Sequence, residues 1–301
     1  MELPPEFKET IISVHGSTGK SWLLNFDGLI DYCENKWRFK LMEHYKLSFN
    51  FVAPVVLGNN SKAILKLGVP SAGINNEMAA LKAYNGNGFC KLLDANPERG
   101  VLLLEYLHPG KPLTTITNNA EATKIAAGLV KAMKCSVPRF SFSFPSIQDQ
   151  VKSFSRPREQ FNGGTGPIPE EFVIQAESFY KYLSGTMHDV YLLHGDLHHE
   201  NILSAADNSW KAIDPKGIIG ETGYELIPFL MNDLNGRDVL KTVTERINIF
   251  SERLNLDRDR IVKWAVYRSV LSLCWKIEDN MPVTSDDLEI TEVFYKMSVG
   301  L

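Results

Sequence analysis

Strand-like patterns occupy the first third of this 301-residue chain, and long helical patterns fill the remainder. A helical stripe over residues 22–37 precedes the alternating segment "KLSFNFV", and the turn "GNNS" joins "APVVL" to "KAILKLG" as a hairpin. A short helix, "NEMAALKAY", for which Asn75 is the predicted N-cap, leads to two more strands, "FCKLLDA" and "GVLLLEYL". This order predicts an α+β fold of two lobes, a strand-rich N-terminal lobe (1–104) and a mainly helical C-terminal lobe (105–301).

Four segments after Pro109 carry the predicted helices of the second lobe. They are "AEATKIAAGLVKAMKC", "PEEFVIQAESFYKYL", "RDVLKTVTERINIFSERL" and "DRDRIVKWAVYRSVLSLCWKIED".

The segment "VHGSTGKSW" (14–22) contains Gly-Lys-Ser, which raises the question of a phosphate-binding loop. That loop requires a glycine five residues before Gly19, where this chain has Val14. It also requires a preceding strand, and "LPPEFKETIISV" begins with two prolines. The sequence favours the entry of a helix, with Thr18 as N-cap and with Gly16 and Gly19 in the turn.

Composition limits the classes of partner. A net charge of −4 argues against a nucleic-acid-binding surface, and neither a signal sequence nor a membrane-spanning apolar run is visible. The four cysteines form no CxxC pair and lie among apolar neighbours, which is typical of buried thiols in a reducing compartment. A cytoplasmic protein without a nucleic-acid or membrane partner is therefore expected, with its oligomeric state left open.

The densest group of polar residues lies in "YLLHGDLHHENILS" and "WKAIDPKGIIGE". Asp196 and Asp214 each follow a short apolar run, and Asn201 comes five residues after the first aspartate. Two carboxylates and an amide oxygen are hard ligands that suit Mg²⁺, with positions left for water and phosphate.

Three histidines in the same segment raise zinc as an alternative. His194 and His198 are four residues apart and His199 follows, but no thiolate or third well-spaced ligand accompanies them. A structural use of His194, as a hydrogen-bond donor behind the loop, is favoured over zinc.

The spacing of Asp196, Asn201 and Asp214 resembles that of the protein-kinase catalytic loop and metal-binding aspartate. With His-Gly-Asp in place of His-Arg-Asp, and Pro215 after Asp214, the chain resembles the aminoglycoside phosphotransferase family. "LLHGDLHHENIL", "AIDPKGIIGE" and "GYELIPFL" are most similar to its streptomycin and hydroxyurea phosphotransferase branch. The resemblance implies a kinase-like fold, with Asp196 accepting the proton of the substrate hydroxyl and Asn201 and Asp214 holding Mg²⁺.

The first lobe offers matching positions for ATP. Lys66 lies in an otherwise apolar strand, eleven residues before Glu77 on the next helix, and kinases use such a pair to hold the α- and β-phosphates. Ile64, on the same strand face, is expected to line the adenine pocket. The backbone from Glu105 to Leu107 is expected to meet the adenine edge.

One departure from the kinase pattern concerns the cover over the phosphates. The turn after "KLSFN" contains no glycine, so a flexible glycine-rich loop is absent there. Ser48 and Asn50 are the candidates for its role.

The sequence says less about the acceptor. Glu278 and Asp279 end a long helix, where the helix dipole disfavours acids, so they are either a solvated end or contacts to a cationic substrate. The resemblance implies an aminoglycoside or hydroxyurea as acceptor. Two alternatives remain, a kinase for an amino alcohol or sugar and a non-catalytic nucleotide-binding scaffold.

Overall fold

The computed structural model describes residues 1–137 and 142–300 and divides into two compact units. The first unit comprises Met1–Gly110 with Ala205–Ser209, and the second comprises Lys111–Ser204 with Trp210–Leu301. The first is rich in strands and the second in helices, which agrees with the predicted α+β class. The lobe boundary after residue 104 stays a prediction.

A five-stranded antiparallel sheet forms the centre of the first unit, in the order β1-β2-β3-β5-β4. The predicted hairpin is confirmed, because β2 and β3 pair across the "GNNS" turn. The strands are β1 (Phe39–Leu41), β2 (Phe51–Leu57), β3 (Lys62–Leu67), β4 (Leu92–Asn96) and β5 (Val101–Glu105).

The alternation of "KLSFN" does not form a strand, and that prediction is wrong. β2 begins only at Phe51; Leu47 packs against the core, but the side chain of Phe49 between them is 59% exposed, so the alternation does not give one continuous buried face. Residues 42–50 instead link β1 to β2, and the N–H of Tyr45 donates to the carbonyl of Val52. This linker contains no glycine, as the sequence indicated.

Two N-terminal helices, α1 (Pro5–Leu24) and α2 (Phe26–Trp37), precede the sheet. The "GSTGKS" segment lies within α1, so the prediction of a helix rather than a phosphate loop is confirmed. Thr18 is not its N-cap, because the helix begins at Pro5 and only breaks at Gly16, where φ is 55°. Gly19 lies inside the helix and not in the turn. Proline is well suited to a first helical position, since the N–H it lacks has no partner there.

The two helices cover one face of the sheet with apolar side chains. Phe7, Trp22, Phe26 and Phe51 form a chain of edge-to-face ring contacts from α1 through α2 to β2. Alternate residues of β3 point into this core, which leaves the opposite face of the strand for its polar residue. The β3 and β5 residues of the core are Ala63, Leu65, Leu67, Val101 and Leu103.

Helix α3 (Ala72–Tyr84) follows β3. Its N-cap is Ser71, whose hydroxyl accepts the N–H of Ile74, and the prediction of Asn75 is therefore wrong. A serine oxygen reaches the N–H groups of the first turn, whereas Asn75 lies one turn inside the helix.

The second unit is built around α10 (Arg258–Glu278), which packs against α6, α9 and α11. The four predicted helices correspond to α4, α6, α9 and α10, while α5, α7, α8 and α11 were not predicted. None of the helices in the described part of the chain is both long and apolar enough to cross a bilayer. The remaining helices are α4 (Asn119–Ala132), α5 (Ser155–Gln160), α6 (Glu170–Gly185), α7 (Thr222–Glu225), α8 (Ile227–Met231), α9 (Val239–Leu254) and α11 (Ser285–Val299).

Two small antiparallel sheets carry the polar segments of this unit, one in the order β10-β7-β6 and the other a β8-β9 hairpin. Their strands are β6 (Cys135–Ser136), β7 (Tyr191–Leu193), β8 (Ile202–Ser204), β9 (Trp210–Ala212) and β10 (Ile218–Gly220).

The two halves of α1 give a test of its close packing. Gly19 is buried, and a β-carbon there would clash with the carbonyl oxygen of Ile11. We expect Gly19→Ala to lower the free energy of unfolding by about 1–3 kcal/mol, although alanine is the better helix former. Gly28→Ala in α2 is the matched control, since nothing lies within 4 Å of its added carbon, and it should stabilise by about 0.5–1 kcal/mol. Denaturant titrations measure both; a stabilising Gly19→Ala would contradict this packing.

Candidate active site

The site residues of the first unit centre on a buried ion pair. The Nζ atom of Lys66 lies 2.7 Å from Oε1 of Glu77, and the two side chains are only 3% and 9% exposed. Lys66 comes from β3 and Glu77 from the second turn of α3, so the pair connects strand to helix. Because burial of a lone charge is very unfavourable, each group requires the other in the folded chain.

The other residues predicted to contact the nucleotide lie on β3 and at or after the end of β5, and their roles stay predictions. Ile64 is half-buried on the same face of β3 as Lys66. At the end of β5, Glu105 is bound twice to Lys91, whose carbonyl accepts its N–H and whose N–H donates to its carboxylate. Leu107 follows as a buried residue.

In the second unit, His194 organises the segment that carries Asp196. The imidazole is fully buried; its Nε2 is 2.7 Å from the carbonyl oxygen of Ile213, and its Nδ1 accepts the N–H of Asp196 at 3.2 Å. Burial lowers the pKa of His194 to about 4, so the ring is neutral at pH 7. A neutral ring with its proton on Nε2 satisfies both bonds, which confirms the structural use of His194.

Glu225 holds the same loop from the other side. Its two carboxyl oxygens accept the backbone N–H groups of His194 at 2.6 Å and Gly195 at 3.1 Å. The group is 2% exposed, and burial raises the pKa of Glu225 to about 8, against the opposite effect of the two N–H donors. The turn before Asp196 is therefore fixed by tertiary contacts.

Asn201 is joined to Asp196 and to the residue before Asp214. Its Nδ2 donates to the carbonyl oxygen of Asp196 at 3.0 Å and lies 3.1 Å from Nε2 of His198. Its own carbonyl accepts the N–H of Ile213 at 3.0 Å. Asp214 follows in a left-handed conformation, with φ of 58°. Hydrogen bonds thus join Asp196 to Asn201, and Asn201 to Ile213, the residue directly before Asp214.

The donor set of this network fits Mg²⁺. Because both hydrogens of the Asn201 amide are used within the loop, its Oδ1 is the atom left for a ligand. With the Asp214 carboxylate, this makes two hard oxygen donors, and Mg²⁺ needs no more than one or two protein ligands when phosphates and waters complete its shell. The described residues include no group of three or more His, Cys, Asp or Glu side chains that could hold a metal ion.

A small pocket adjoins Asp196. Its volume is about 200 Å³, and its lining includes Asp196, His198, Asn232, Arg268 and Ser272. A larger groove of about 660 Å³, bordered by α4 and α9, contains none of the predicted site residues.

The two acids at the end of α10 have a different environment. Glu278 accepts a hydrogen bond from Ser153 at 3.3 Å and lies 3.4 Å from Nε of Arg156, so its charge has a partner within the chain. Asp279 is the exposed C-cap of α10. Neither is among the residues that line the pocket beside Asp196, and their role in substrate binding stays a prediction.

Three residues near Asp196 were not singled out from the sequence. Lys216 has its Nζ 3.9 Å from the Asp196 carboxylate, while Glu225 and Arg268 contact the preceding loop. A signal existed for Glu225, because "GYELIPFL" was part of the family resemblance. Arg268 carried none, since it is one of several basic residues on a long helix.

The buried His199 leads us to expect that the free energy of unfolding falls in acid. His199 is buried against Phe229, and burial lowers the pKa of its ring to about 4, below the unfolded value near 6.5. The stability that its neutral form gives is present above pH 6.5 and is lost as pH falls toward 4. We expect His199→Gln to reduce the slope of unfolding free energy in this window by about 1.4 kcal/mol per pH unit. His188→Gln, at an exposed position, is the control; equal slopes for all three proteins would contradict the assignment.

Comparison with known proteins agrees with this geometry. Residues 46–280 match a family described as aminoglycoside/hydroxyurea antibiotic resistance kinase. Streptomycin 6-kinase from Streptomyces griseus is 27% identical, over 98% of this chain and 98% of its own length. Hydroxyurea phosphotransferase from Kitasatospora aureofaciens is also 27% identical, over 93% of this chain and 81% of its own.

Solved structures support the fold. The choline kinase LicA from Streptococcus pneumoniae has a TM-score of 0.64 at 13% identity and covers 92% of this chain, with 100% of its own length matched. This confirms the predicted kinase-like fold. The family match extends over well more than half of the sequence and includes the whole Asp196–Asp214 network. The chain therefore belongs to the aminoglycoside/hydroxyurea antibiotic resistance kinase family.

Proposed function

We propose that this kinase transfers the γ-phosphoryl group of ATP to a hydroxyl group of an aminoglycoside or of hydroxyurea. The observation that carries the proposal is the network of His194, Ile213 and Asn201, which presents one carboxylate for proton transfer and two oxygen donors for a metal. Relatives named for streptomycin and for hydroxyurea support this pair of acceptors.

Asp196 is the proposed catalytic residue. Its carboxylate is about one-third exposed, so it can reach a bound hydroxyl while its backbone is held by His194 and Asn201. It would orient the hydroxyl and accept its proton as the new P–O bond forms and ADP leaves.

Asn201 and Asp214 are the proposed holders of Mg²⁺. When bound there, the ion would neutralise phosphate charge in the transition state. The chain's own contribution is orientation, since the amide of Asn201 is fixed by its two donated hydrogen bonds.

The first unit supplies the proposed nucleotide contacts. Lys66, fixed by Glu77, would neutralise the α- and β-phosphates of ATP. Ile64 would pack on the adenine ring, and the backbone of Glu105 and Leu107 would meet its polar edge. Ser48 and Asn50 of the 42–50 linker remain the proposed cover over the phosphates.

The proposed cellular setting follows from the chemistry. ATP as co-substrate and free thiols at all four cysteines favour the cytoplasm.

Two substitutions separate proton transfer from metal binding. Asp196→Asn keeps the size of the side chain but removes the proton acceptor, so kcat should fall by about 10²–10⁴ while ATP affinity stays constant.

Asp214→Ala should also abolish turnover, but in addition the thermal stabilisation by ATP should lose its dependence on Mg²⁺. An ADP-release assay and melting curves measure both, and an Asp214→Ala enzyme with normal turnover would refute the proposal.

Two lysines test where the phosphates bind. Lys66→Ala should weaken ATP binding strongly, since it removes the buried cation that is proposed to neutralise the phosphates. Lys20→Ala, at an exposed position of α1, should change ATP affinity and turnover little. The Kd for ATP from calorimetry decides, and similar losses in both variants would bring back the phosphate-loop hypothesis for "GSTGKS".

A further inference from the structure

We infer that Arg268 determines acceptor specificity, by binding an oxygen atom that lies next to the reacting hydroxyl and by disfavouring acceptors with a cationic group at that position. The inference rests on the proposed function, because it concerns the pocket beside Asp196.

Arg268 lies in the middle of α10 and reaches the loop that carries Asp196. Its Nη2 donates to the carbonyl oxygen of Gly195 at 3.4 Å. The guanidinium carbon is 4.3 Å from the ring centre of Trp275 and 5.3 Å from that of Tyr224. Two aromatic rings thus fix its position, so the group needs little reorganisation to bind a ligand.

One nitrogen of this guanidinium has no acceptor. Nη1 is buried, and no side chain or backbone group in the described part of the chain accepts its hydrogens. A buried donor without a partner is destabilising, and a ligand oxygen that accepts from it removes that penalty. Arg268 also lines the pocket that contains Asp196, so we infer that an acceptor molecule bound there supplies this oxygen.

The charges that face the pocket favour the same class of ligand. Nζ of Lys216 lies 3.9 Å from the Asp196 carboxylate, and Arg268 adds a positive charge to the lining of the pocket. Glu225 approaches from α7, but its oxygens accept the N–H groups of His194 and Gly195. His198 adds a ring that is hydrogen-bonded to Glu200 at 2.9 Å.

The size of the pocket is a further restriction. About 200 Å³ is less than the roughly 300–1,000 Å³ of sites that enclose drug-sized ligands. The pocket therefore suits a small acceptor, or one small group of a larger one, with a carbonyl oxygen beside the hydroxyl. Hydroxyurea has this arrangement, whereas a guanidinium group at the same position presents a positive charge and N–H donors in place of the carbonyl oxygen.

Two probes of nearly equal shape test the inference. Hydroxyguanidine replaces the carbonyl oxygen of hydroxyurea by a nitrogen and is mainly a cation at neutral pH. We expect the wild-type enzyme with ATP to show a KM at least about tenfold lower for hydroxyurea than for hydroxyguanidine. Ligand-observed NMR titrations should give the same order for binding, which does not depend on turnover.

Substitution of Arg268 should remove this preference. We expect Arg268→Gln to raise the KM for hydroxyurea about tenfold to a hundredfold with a smaller change in kcat, and to bring the two probes to similar KM values. Arg268→Lys keeps the charge but not the fork of donors, and should lose part of the preference. Arg253→Gln, exposed on α9, is the matched control and should behave as wild type.

The outcomes distinguish the two proposals. Equal binding of both probes by the wild-type protein would overturn the role of Arg268, whether or not the variants fold. A fall in kcat at unchanged KM in Arg268→Gln would also overturn it, because the residue would then act on the phosphoryl group or only on the fold. A wild-type protein that binds hydroxyurea in preference but phosphorylates no acceptor would refute the proposed function and leave this inference standing.

Discussion

The arrangement of the second unit depends on one buried imidazole. His194 donates from one ring nitrogen to Ile213 and accepts at the other from the N–H of Asp196, so it connects two chain segments through a single neutral ring. A protonated ring would have two donors and no acceptor, and the Asp196 N–H would lose its partner. The main-chain carbonyl of His194 adds a third link, since it accepts the N–H of Lys216 at 2.7 Å. Burial therefore keeps the ring uncharged, and the uncharged ring can donate to Ile213 and accept from Asp196 at the same time.

The first unit uses burial in the opposite way, to keep a charge. Helices α1 and α2 cover one face of the sheet with apolar side chains. Because that face is apolar, Lys66 of β3 lies on the opposite face. There Glu77 of α3 compensates its charge at 2.7 Å. In this kinase, burial keeps His194 uncharged in one unit. In the other unit, the charge of the buried Lys66 is balanced by Glu77.

Much of this could be predicted from the sequence, because the features concerned are local. The β2-β3 hairpin follows from its turn residues, and the contact of Lys66 with Glu77 follows from a strand and a helix adjacent in the chain. The strand predicted at "KLSFN" failed because alternation alone does not show whether an apolar layer exists to cover it. Glu225 and Arg268 reach the Asp196 loop across about 30 and 73 residues of sequence, and such tertiary contacts leave no periodic trace.

The hydrogen bonds at Ile213 restrict the main chain at this position but not its side chain. The contacts that join Asn201 to His194 use the N–H and the carbonyl of this residue, and none of them uses its side chain. Natural selection at position 213 therefore acts on the main chain, so a range of apolar side chains should serve there equally well. Proline is the exception, because it has no N–H to donate to Asn201. In a saturation library, position 213 should accept apolar residues other than proline, although two hydrogen bonds of the site are made by its main chain.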